Sequence, residues 1–282
     1  MPTFTDDHGV RIHYESWRVP DPTAVIQLAH GIGEHIGRYA ELIQALNEAG
    51  YSVWADDHRG HGKTGFDQHG GDLDRMGRPG PGGMRAAIAA VERFTEVIRE
   101  TEGYDVPLVI LGHSWGSFMT QHVVNRHPER YDAVVLTGSA WLQLGYTNIG
   151  NLNKRFARPG GTAVEWLSRD PEVAVAWEAD PYTTSRTLQQ LFGWPQSFTL
   201  ITRPSKLIPS ELPLLIMVGS DDPVAGERSA RRLLQDYQRR SGLVDAQLIV
   251  YEGARHELFN ETNRAEVRAD LIRWLDERFA VD

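Results

Sequence analysis

The amino-acid sequence predicts an α/β fold, with a mostly parallel central sheet and helices on both of its faces. Nearly all-apolar runs, such as residues 107–113 and 213–219, recur along the chain, as expected for strands that a parallel sheet buries on both faces. Amphipathic stretches with helical spacing, such as residues 84–103, separate these runs. A regular alternation of strand and helix favours parallel strands joined by right-handed crossovers.

The individual elements follow from the same two patterns in chain order. Strands are predicted near residue 10 and at residues 24–30, 51–57, 107–113, 133–139, 213–219 and 246–253. Helices are predicted over residues 38–50, 84–103, 117–127, 228–242 and 264–279. The segment 65–83 is rich in Gly and Pro and is therefore predicted to form a surface loop.

Residues 141–210 interrupt this alternation, because they are longer than a simple crossover requires. They include two short stretches of helical character, residues 162–170 and 171–180. We therefore expect an inserted helical cap over the carboxyl edge of the sheet, which divides the core into residues 1–140 and 211–282. The cap is also a candidate for transient contact with a membrane or micelle. Candidate substrate contacts in the wall of an apolar pocket are Trp141, Trp166, Trp177 and Trp194.

Composition argues against several classes of function. The 282 residues include 38 acidic and 29 basic side chains, a net charge of −9, and no Lys/Arg run, which disfavours binding to nucleic acid or to an anionic membrane surface. There is no cysteine, so disulfides and Cys-based metal sites are excluded. The amino terminus has no signal-peptide pattern, and no apolar run approaches the roughly 18 residues of a membrane span. We therefore expect a cytoplasmic protein.

The strongest chemical signal is the pentad Gly112-His113-Ser114-Trp115-Gly116. A G-x-S-x-G pattern alone is weak, but this one follows the apolar run PLVIL and precedes the helical stretch SFMTQHVV. Strand, tight turn and helix in this order are typical of a nucleophile elbow, which lifts a strained serine hydroxyl above the sheet. The pattern predicts that Ser114 is a nucleophile.

A serine hydroxyl is a poor nucleophile without a neighbouring base, and histidine is the usual base. Three histidines follow Ser114 in the chain. His122 and His127 lie on or just beyond the predicted elbow helix and point along it. His256 follows the last predicted strand, where the base of such a site is expected. We therefore predict that His256 takes the proton of Ser114.

The acid that orients the base is expected where the strand at 213–219 ends, and both Asp221 and Asp222 stand there. Either carboxylate could stabilise the charged imidazole. An oxyanion also needs backbone N–H donors. We expect them from Trp115, directly after the nucleophile, and from Ile32, which two glycines flank in the loop after the strand at 24–30.

The two glycine-rich loops carry further polar side chains. Four of them either hold the first loop in shape or recognise substrate, and they are Glu34, His35, Arg38 and Tyr39. His58 and His61 are interpreted as polar anchors of the second loop, because no histidine cluster has the spacing of metal ligands on one helix face. Neither a metal nor another cofactor is expected.

Five separated blocks now resemble a known family. In chain order they read HGIGEHIGRY, DHRGHGKTG, LGHSWGSF, VGSDDPV and YEGARHELFNE. Together they resemble the monoacylglycerol lipase and lysophospholipase-like serine hydrolases of the α/β-hydrolase superfamily. The resemblance implies the α/β-hydrolase fold with an inserted cap, and ester hydrolysis without a cofactor. It also places the acid on Asp222 and the oxyanion donors on Ile32 and Trp115.

Two departures from the family pattern bear on the substrate. Trp115 stands where the family commonly has Met, so we expect an indole beside the nucleophile in the floor of the pocket. Ser117 follows Gly116, where the family often has a second glycine. The resemblance favours a small-molecule lipid ester such as a monoacylglycerol or lysophospholipid. A carboxylesterase for small or aromatic esters and a non-catalytic ligand-binding protein are the alternatives, and the sequence does not indicate an oligomeric state.

Overall fold

The computed structural model describes residues 2–148 and 150–280, and these contain an eight-stranded sheet. The strands are β1 (Thr3–Thr5), β2 (Arg11–Trp17), β3 (Ala24–Ala29), β4 (Tyr51–Asp56), β5 (Leu108–His113), β6 (Ala133–Thr137), β7 (Leu214–Gly219) and β8 (Ala246–Tyr251). Their order across the sheet is β1-β2-β4-β3-β5-β6-β7-β8. β2 runs antiparallel to both of its neighbours, and the pairs from β4 to β8 are parallel. The predicted mostly parallel α/β fold is confirmed.

Helices cover both faces of this sheet. They are α1 (Ala40–Glu48), α2 (Gly62–Gln68), α3 (Gly83–Glu102), α4 (Trp115–Arg126), α5 (Pro171–Ala179), α6 (Leu188–Ser197), α7 (Gly226–Asp236) and α8 (Arg264–Phe279). One apolar cluster joins the sheet to α3, α4 and α7, and a second joins it to α1 and α8. β5 contributes Leu108 and Ile110 to the first cluster and Val109 and Leu111 to the second. This division follows because successive side chains of a strand point to opposite faces.

The parallel register brings the carboxyl ends of the central strands to one edge of the sheet. Gly112 of β5 pairs with Ala29 of β3, and His113 pairs with Thr137 of β6. The loops after β3, β5, β7 and β8 therefore meet above this edge. Crevices at the carboxyl ends of strands are where open α/β sheets bind ligands.

The segment 65–83 is largely exposed, as expected of a surface loop, but parts of it are regular. α2 already covers its first residues, and Leu73–Arg75 form a 3-10 turn. The following chain lies against the buried side chain of Arg59, which donates hydrogen bonds to the carbonyls of Pro79 and Pro81. The surface-loop prediction therefore holds for most of the segment, and a long-range contact that local composition does not reveal fixes its second half.

Residues 141–210 lie between β6 and β7, as predicted, and contain α5 and α6. The helix predicted over 162–170 is reduced to one 3-10 turn, Glu165–Leu167, because the backbone there bonds to a neighbouring loop. α6 is kinked at Gly193, whose φ is 76°. Assigning the whole of 141–210 to a cap remains a prediction. Within the described residues, no helix is both long and apolar enough to span a membrane.

Candidate active site

Ser114 occupies the tight turn between β5 and α4. Its φ of 52° and ψ of −121° lie in a region that a residue with a side chain rarely adopts. The Ser117 hydroxyl donates a hydrogen bond of 2.6 Å to the Ser114 carbonyl, which supports the turn from inside the helix. Ser117 thus makes a contact that a glycine at this position could not make.

Two glycines allow the turn because the chain passes so close to them. A Cβ on Gly112 would lie 2.7 Å from the Cα of Ser117, and a Cβ on Gly116 would lie 2.1 Å from the carbonyl oxygen of Ala29. Backbone atoms cannot move aside as a flexible side chain can. Both glycines of the pentad are therefore required by contact distances within the elbow.

The structure brings Ser114, His256 and Asp222 together, although they come from three separate loops. His256 Nε2 lies 2.8 Å from Ser114 Oγ, and His256 Nδ1 lies 2.9 Å from Asp222 Oδ2. All three residues are buried. This chain of hydrogen bonds has the geometry in which a histidine can take the serine proton while the carboxylate fixes its tautomer.

The two candidate aspartates have different environments. Asp222 uses its second oxygen to accept a 2.8 Å hydrogen bond from the Val224 amide, so the carboxylate is held from both sides. Asp221 points away and pairs with Arg155 at 2.9 Å, with about a third of its side chain exposed. The geometry favours Asp222 as the partner of His256.

The electrostatics of the site favour a chargeable His256. Burial alone would lower its pKa, but the adjacent Asp222 carboxylate outweighs burial, and the pKa of His256 lies above its ordinary value. The neighbouring His113 behaves oppositely, since burial and the nearby His256 lower its pKa to about 3. His113 therefore stays neutral and does not compete for the proton.

Two backbone amides are available for an oxyanion. Among the described residues, neither the Ile32 nor the Trp115 N–H donates a hydrogen bond. Both residues border the same cavity as Ser114. Free amides beside a nucleophile are what a tetrahedral oxyanion requires, because they are already oriented before charge develops.

A buried ionic network supports the loop that carries Ile32. Glu34 accepts hydrogen bonds from the Gly31 amide at 2.6 Å and from Arg38 at 3.0 Å. Arg38 in turn binds both carboxylate oxygens of Glu257, at 2.5 and 2.8 Å. The network thus ties the Ile32 loop to the loop that carries His256. Sequence reasoning missed Glu257, although its place directly after the predicted base was a usable signal.

The remaining polar residues of the first loop also have structural partners. The Tyr39 hydroxyl donates to Glu34 at 2.7 Å. His35 Nε2 lies 2.7 Å from Asp180 Oδ2, at the end of α5. Of the two roles predicted for these residues, holding the loop in shape is therefore the one for which the structure provides contacts.

The histidines of the second loop are packed in the interior. His30 and His58 stack with ring centroids 4.0 Å apart, and the His30 Nε2 accepts a hydrogen bond from the His58 amide. Burial lowers the pKa of His61 to about 3, so this imidazole is neutral. Within residues 2–148 and 150–280, no group of three or more possible ligand side chains is arranged to hold a metal ion.

A cavity of about 690 Å³ opens above Ser114. Its wall is largely apolar, and the polar remainder includes Gln143, Arg186 and Gln189 as well as side chains beside Ser114. The apolar part is formed by Phe118, Leu142, Leu144, Trp166, Leu167, Leu188, Trp194, Phe198, Leu200, Ile201 and Val224. Glu34 and Glu257 border the polar part. The cavity therefore suits a molecule with a long apolar portion and a polar group next to the reacting carbonyl.

The predicted cap tryptophans divide into two groups. Trp166, Trp177 and Trp194 line the cavity, whereas Trp141 does not. The Trp141 indole packs on α7 instead, where its N–H donates to Asp236 at 2.9 Å. The geometry does not support Trp141 as a substrate contact, because its indole turns towards α7 while the adjacent Leu142 lines the cavity.

Trp115 borders the cavity, but its indole is only 1% exposed. The ring packs 5.1 Å from His61 and 5.3 Å from Phe192 of α6, and its N–H points to the Met84 sulfur at 3.3 Å. The side chain is thus part of the packed layer behind the cavity. The expectation of an indole in the floor of the pocket stays a prediction, because the residue borders the cavity while nearly all of its ring is covered.

Comparisons with known proteins agree with this geometry. The family model described as serine aminopeptidase, S33, matches residues 20–263. A monoacylglycerol lipase of Mycolicibacterium smegmatis is 33% identical, covering 97% of this chain and 95% of that protein. A monoglyceride lipase of Mus musculus is 26% identical, covering 99% of this chain and 91% of that protein. The structure of a thermostable carboxyl esterase from Bacillus coagulans, in complex with glycerol, has the same fold, with a TM-score of 0.85 at 23% identity and coverage of 99% and 98%.

Proposed function

The chain belongs to the serine aminopeptidase S33 family and is a carboxylic ester hydrolase, and on that premise we propose that it cleaves monoacylglycerol-type lipid esters through an acyl-enzyme on Ser114. The observation that carries the proposal is the hydrogen-bonded series from Ser114 through His256 to Asp222. It lies beneath two free amides at the base of a largely apolar cavity.

The reaction has two acyl-transfer steps. Ser114 Oγ attacks the ester carbonyl while His256 Nε2 takes its proton, and the amides of Ile32 and Trp115 hold the oxyanion. The imidazolium returns the proton to the departing alcohol, which leaves the acyl group on Ser114. Water then enters, gives a proton to His256 and attacks the acyl carbonyl. Release of the carboxylic acid restores the Ser114 hydroxyl, so no cofactor is consumed.

The shape and polarity of the cavity support a lipid substrate with a hydroxylated alcohol. The apolar wall can receive an acyl chain, and polar side chains that also border the cavity, such as Gln143 and Gln189, could form hydrogen bonds with alcohol hydroxyls. The activities for which the bacterial and mouse relatives are named point to the same substrate class. A carboxylesterase that prefers short or aromatic acyl groups is the alternative within the same chemistry.

A peptidase role has less support, although the family description names one. An aminopeptidase requires a negative group for the ammonium of its substrate. Both oxygens of Glu257 are already bound by Arg38, and burial raises the pKa of Glu34, which disfavours its charged form. The cavity therefore offers little free negative charge to an amino terminus.

The mouth of the cavity supports transient contact with lipid aggregates. Leu144, Trp194, Phe198 and Ile201 border the cavity and are between 42% and 79% exposed. Exposed apolar side chains grouped around a cavity entrance are typical of an interaction surface. We expect this rim to meet a micelle or bilayer when substrate enters, while a cytoplasmic location stays a prediction from the sequence.

A turnover screen with the Ser114→Ala variant tests the proposal. Wild-type protein should hydrolyse monoacylglycerols with higher kcat/KM than lysophospholipids or short aryl esters. The variant should lose about 10⁴-fold or more in kcat while keeping the wild-type thermal unfolding midpoint. Near-wild-type turnover by the variant would exclude Ser114 as nucleophile. A profile dominated by acetyl or aryl esters would favour the carboxylesterase alternative.

A further inference from the structure

The cap segment that contains Trp166 is bound to the chain on both sides of His256. The Glu257 amide donates a 2.8 Å hydrogen bond to the Leu167 carbonyl. On the other side, the Arg255 guanidinium donates to the Glu165 carbonyl at 2.6 Å. These hydrogen bonds join the loop that carries His256 and the turn Glu165–Leu167 into one structural unit, so the order of each segment depends on the other.

Within this unit the Trp166 indole lies directly beside the imidazole of His256. The ring centroids are 4.9 Å apart and the planes are inclined by 40°, so the two rings contact over part of their faces. The Trp166 amide donates to Asn153 Oδ1 at 3.0 Å, which fixes the backbone from which the indole projects. Hydrogen bonds therefore fix the backbone on both sides of this ring contact, at Trp166 and in the loop that carries His256.

We propose that Trp166 is a positioning residue for His256, which holds the imidazole towards Ser114 and stabilises the imidazolium that forms when the serine proton is transferred. The inference rests on the proposed serine-hydrolase function. The π face of an indole attracts a cation, and the attraction is larger in a buried site than in water. Because this attraction acts only on the protonated imidazole, it lowers the energy of the transition state more than that of the ground state.

The charged groups near His256 belong to residues other than Trp166, and a substitution at position 166 leaves their identities unchanged. The titratable and charged groups that face His256 are Asp222, Glu34, Glu257 with its partner Arg38, and His113. His113 also lies 4.9 Å from His256 but is neutral, as burial lowers its pKa to about 3. A change in the titration of His256 after substitution of Trp166 is therefore attributable to the indole.

Trp166 also lines the cavity, so a simple loss of activity would not separate the two roles. Trp194 provides a matched control. It lines the same cavity, but its indole packs against Phe198 with centroids 6.0 Å apart, and no contact with His256 occurs among the described residues. A substitution at Trp194 removes a cavity-lining indole and leaves the environment of the imidazole unchanged.

The experiment compares Trp166→Leu, Trp166→Phe and Trp194→Leu with wild type, using p-nitrophenyl acetate from pH 5 to 9. The small acetyl group minimises contact between the acyl chain and the cavity wall, and the pH profile of kcat/KM reports the base of the free enzyme. For Trp166→Leu we expect the apparent pKa to fall by about half to one unit and the plateau kcat to fall about three- to tenfold. Trp166→Phe should recover most of both effects, and Trp194→Leu should leave the apparent pKa at the wild-type value, whatever its effect on kcat or KM.

Three outcomes would overturn the inference. An unchanged apparent pKa in Trp166→Leu, with a change in KM alone, would make Trp166 a wall of the substrate cavity only. Equal effects of Phe and Leu would exclude the π face as the cause. A pKa shift of the same size in Trp194→Leu would indicate a general effect of the cap. Failure of the proposed function is separate, because wild type would then show no hydrolysis that depends on Ser114.

Discussion

Replacing Asp222 by Asn should remove most of the hydrolytic activity, whereas the same change at Asp221 should be nearly silent. The Asp222 side chain is fully buried and accepts two hydrogen bonds, from His256 at 2.9 Å and from the Val224 amide at 2.8 Å. Asparagine has the same size but only one acceptor atom. If its NH₂ group faces His256, the imidazole must present Nδ1 as an acceptor, and Nε2 then carries the proton and cannot take one from Ser114.

The structure also sets the expected magnitudes. A wrong tautomer in a triad of this kind lowers kcat by about 10⁴-fold, which corresponds to about 5 kcal/mol of transition-state stabilisation. Asp221 is partly exposed and pairs with Arg155, itself 67% exposed. Exposed ion pairs contribute about 0–1 kcal/mol to stability. Because Asp221 pairs with Arg155 while Asp222 pairs with His256, Asp221→Asn should leave kcat within about twofold of the wild-type value. The two variants should therefore differ by about four orders of magnitude.

The assay is kcat for a soluble p-nitrophenyl ester at pH 8, with thermal unfolding measured on the same preparations. Because Asp222 raises the pKa of His256, any residual activity of Asp222→Asn should also extend to lower pH than that of wild type. A greater loss in Asp221→Asn would reverse the assignment of the acid. Comparable small losses in both variants would mean that neither carboxylate orients the base.

Two further changes test the packing around the site. Trp115→Met removes a buried indole beside Phe192, so the free energy of unfolding should fall by about 2 kcal/mol. The preference for acyl chains should move to longer ones. Superimposable profiles of kcat/KM over C2–C16 acyl esters would exclude a role of Trp115 in specificity. Glu257→Gln leaves Arg38 without its bidentate partner, which should cost about 3 kcal/mol at pH 7 by urea unfolding. Burial alone would raise the pKa of Glu257, but Arg38 lowers it. The stabilisation by this ion pair is therefore fully present above the ordinary pKa of 4.5 and disappears as pH falls through the lowered pKa of Glu257. A difference in unfolding free energy between wild type and Glu257→Gln that does not vary with pH would contradict the charge argument.

The sequence was sufficient for features that depend on neighbouring residues. The elbow is one example, since strand β5, the glycines that permit the turn and the start of α4 are contiguous in the chain. The alternation of apolar strands and amphipathic helices is another, because burial on both faces of a sheet leaves a local pattern. Family resemblance added Asp222 as the acid, a choice that residue patterns alone had left open.

Tertiary structure decided the features that depend on distance in space. Ser114 and His256 are 142 positions apart, and only the parallel register of β5 to β8 brings their loops to one edge of the sheet. The same geometry turns Trp141 onto α7 while it places Trp166 against His256. Four tryptophans look equivalent in a sequence because composition records their apolar area but not their direction. Which of them touches His256 is determined by the path of the chain between β6 and β7, and long-range hydrogen bonds to the loop that carries His256 set that path.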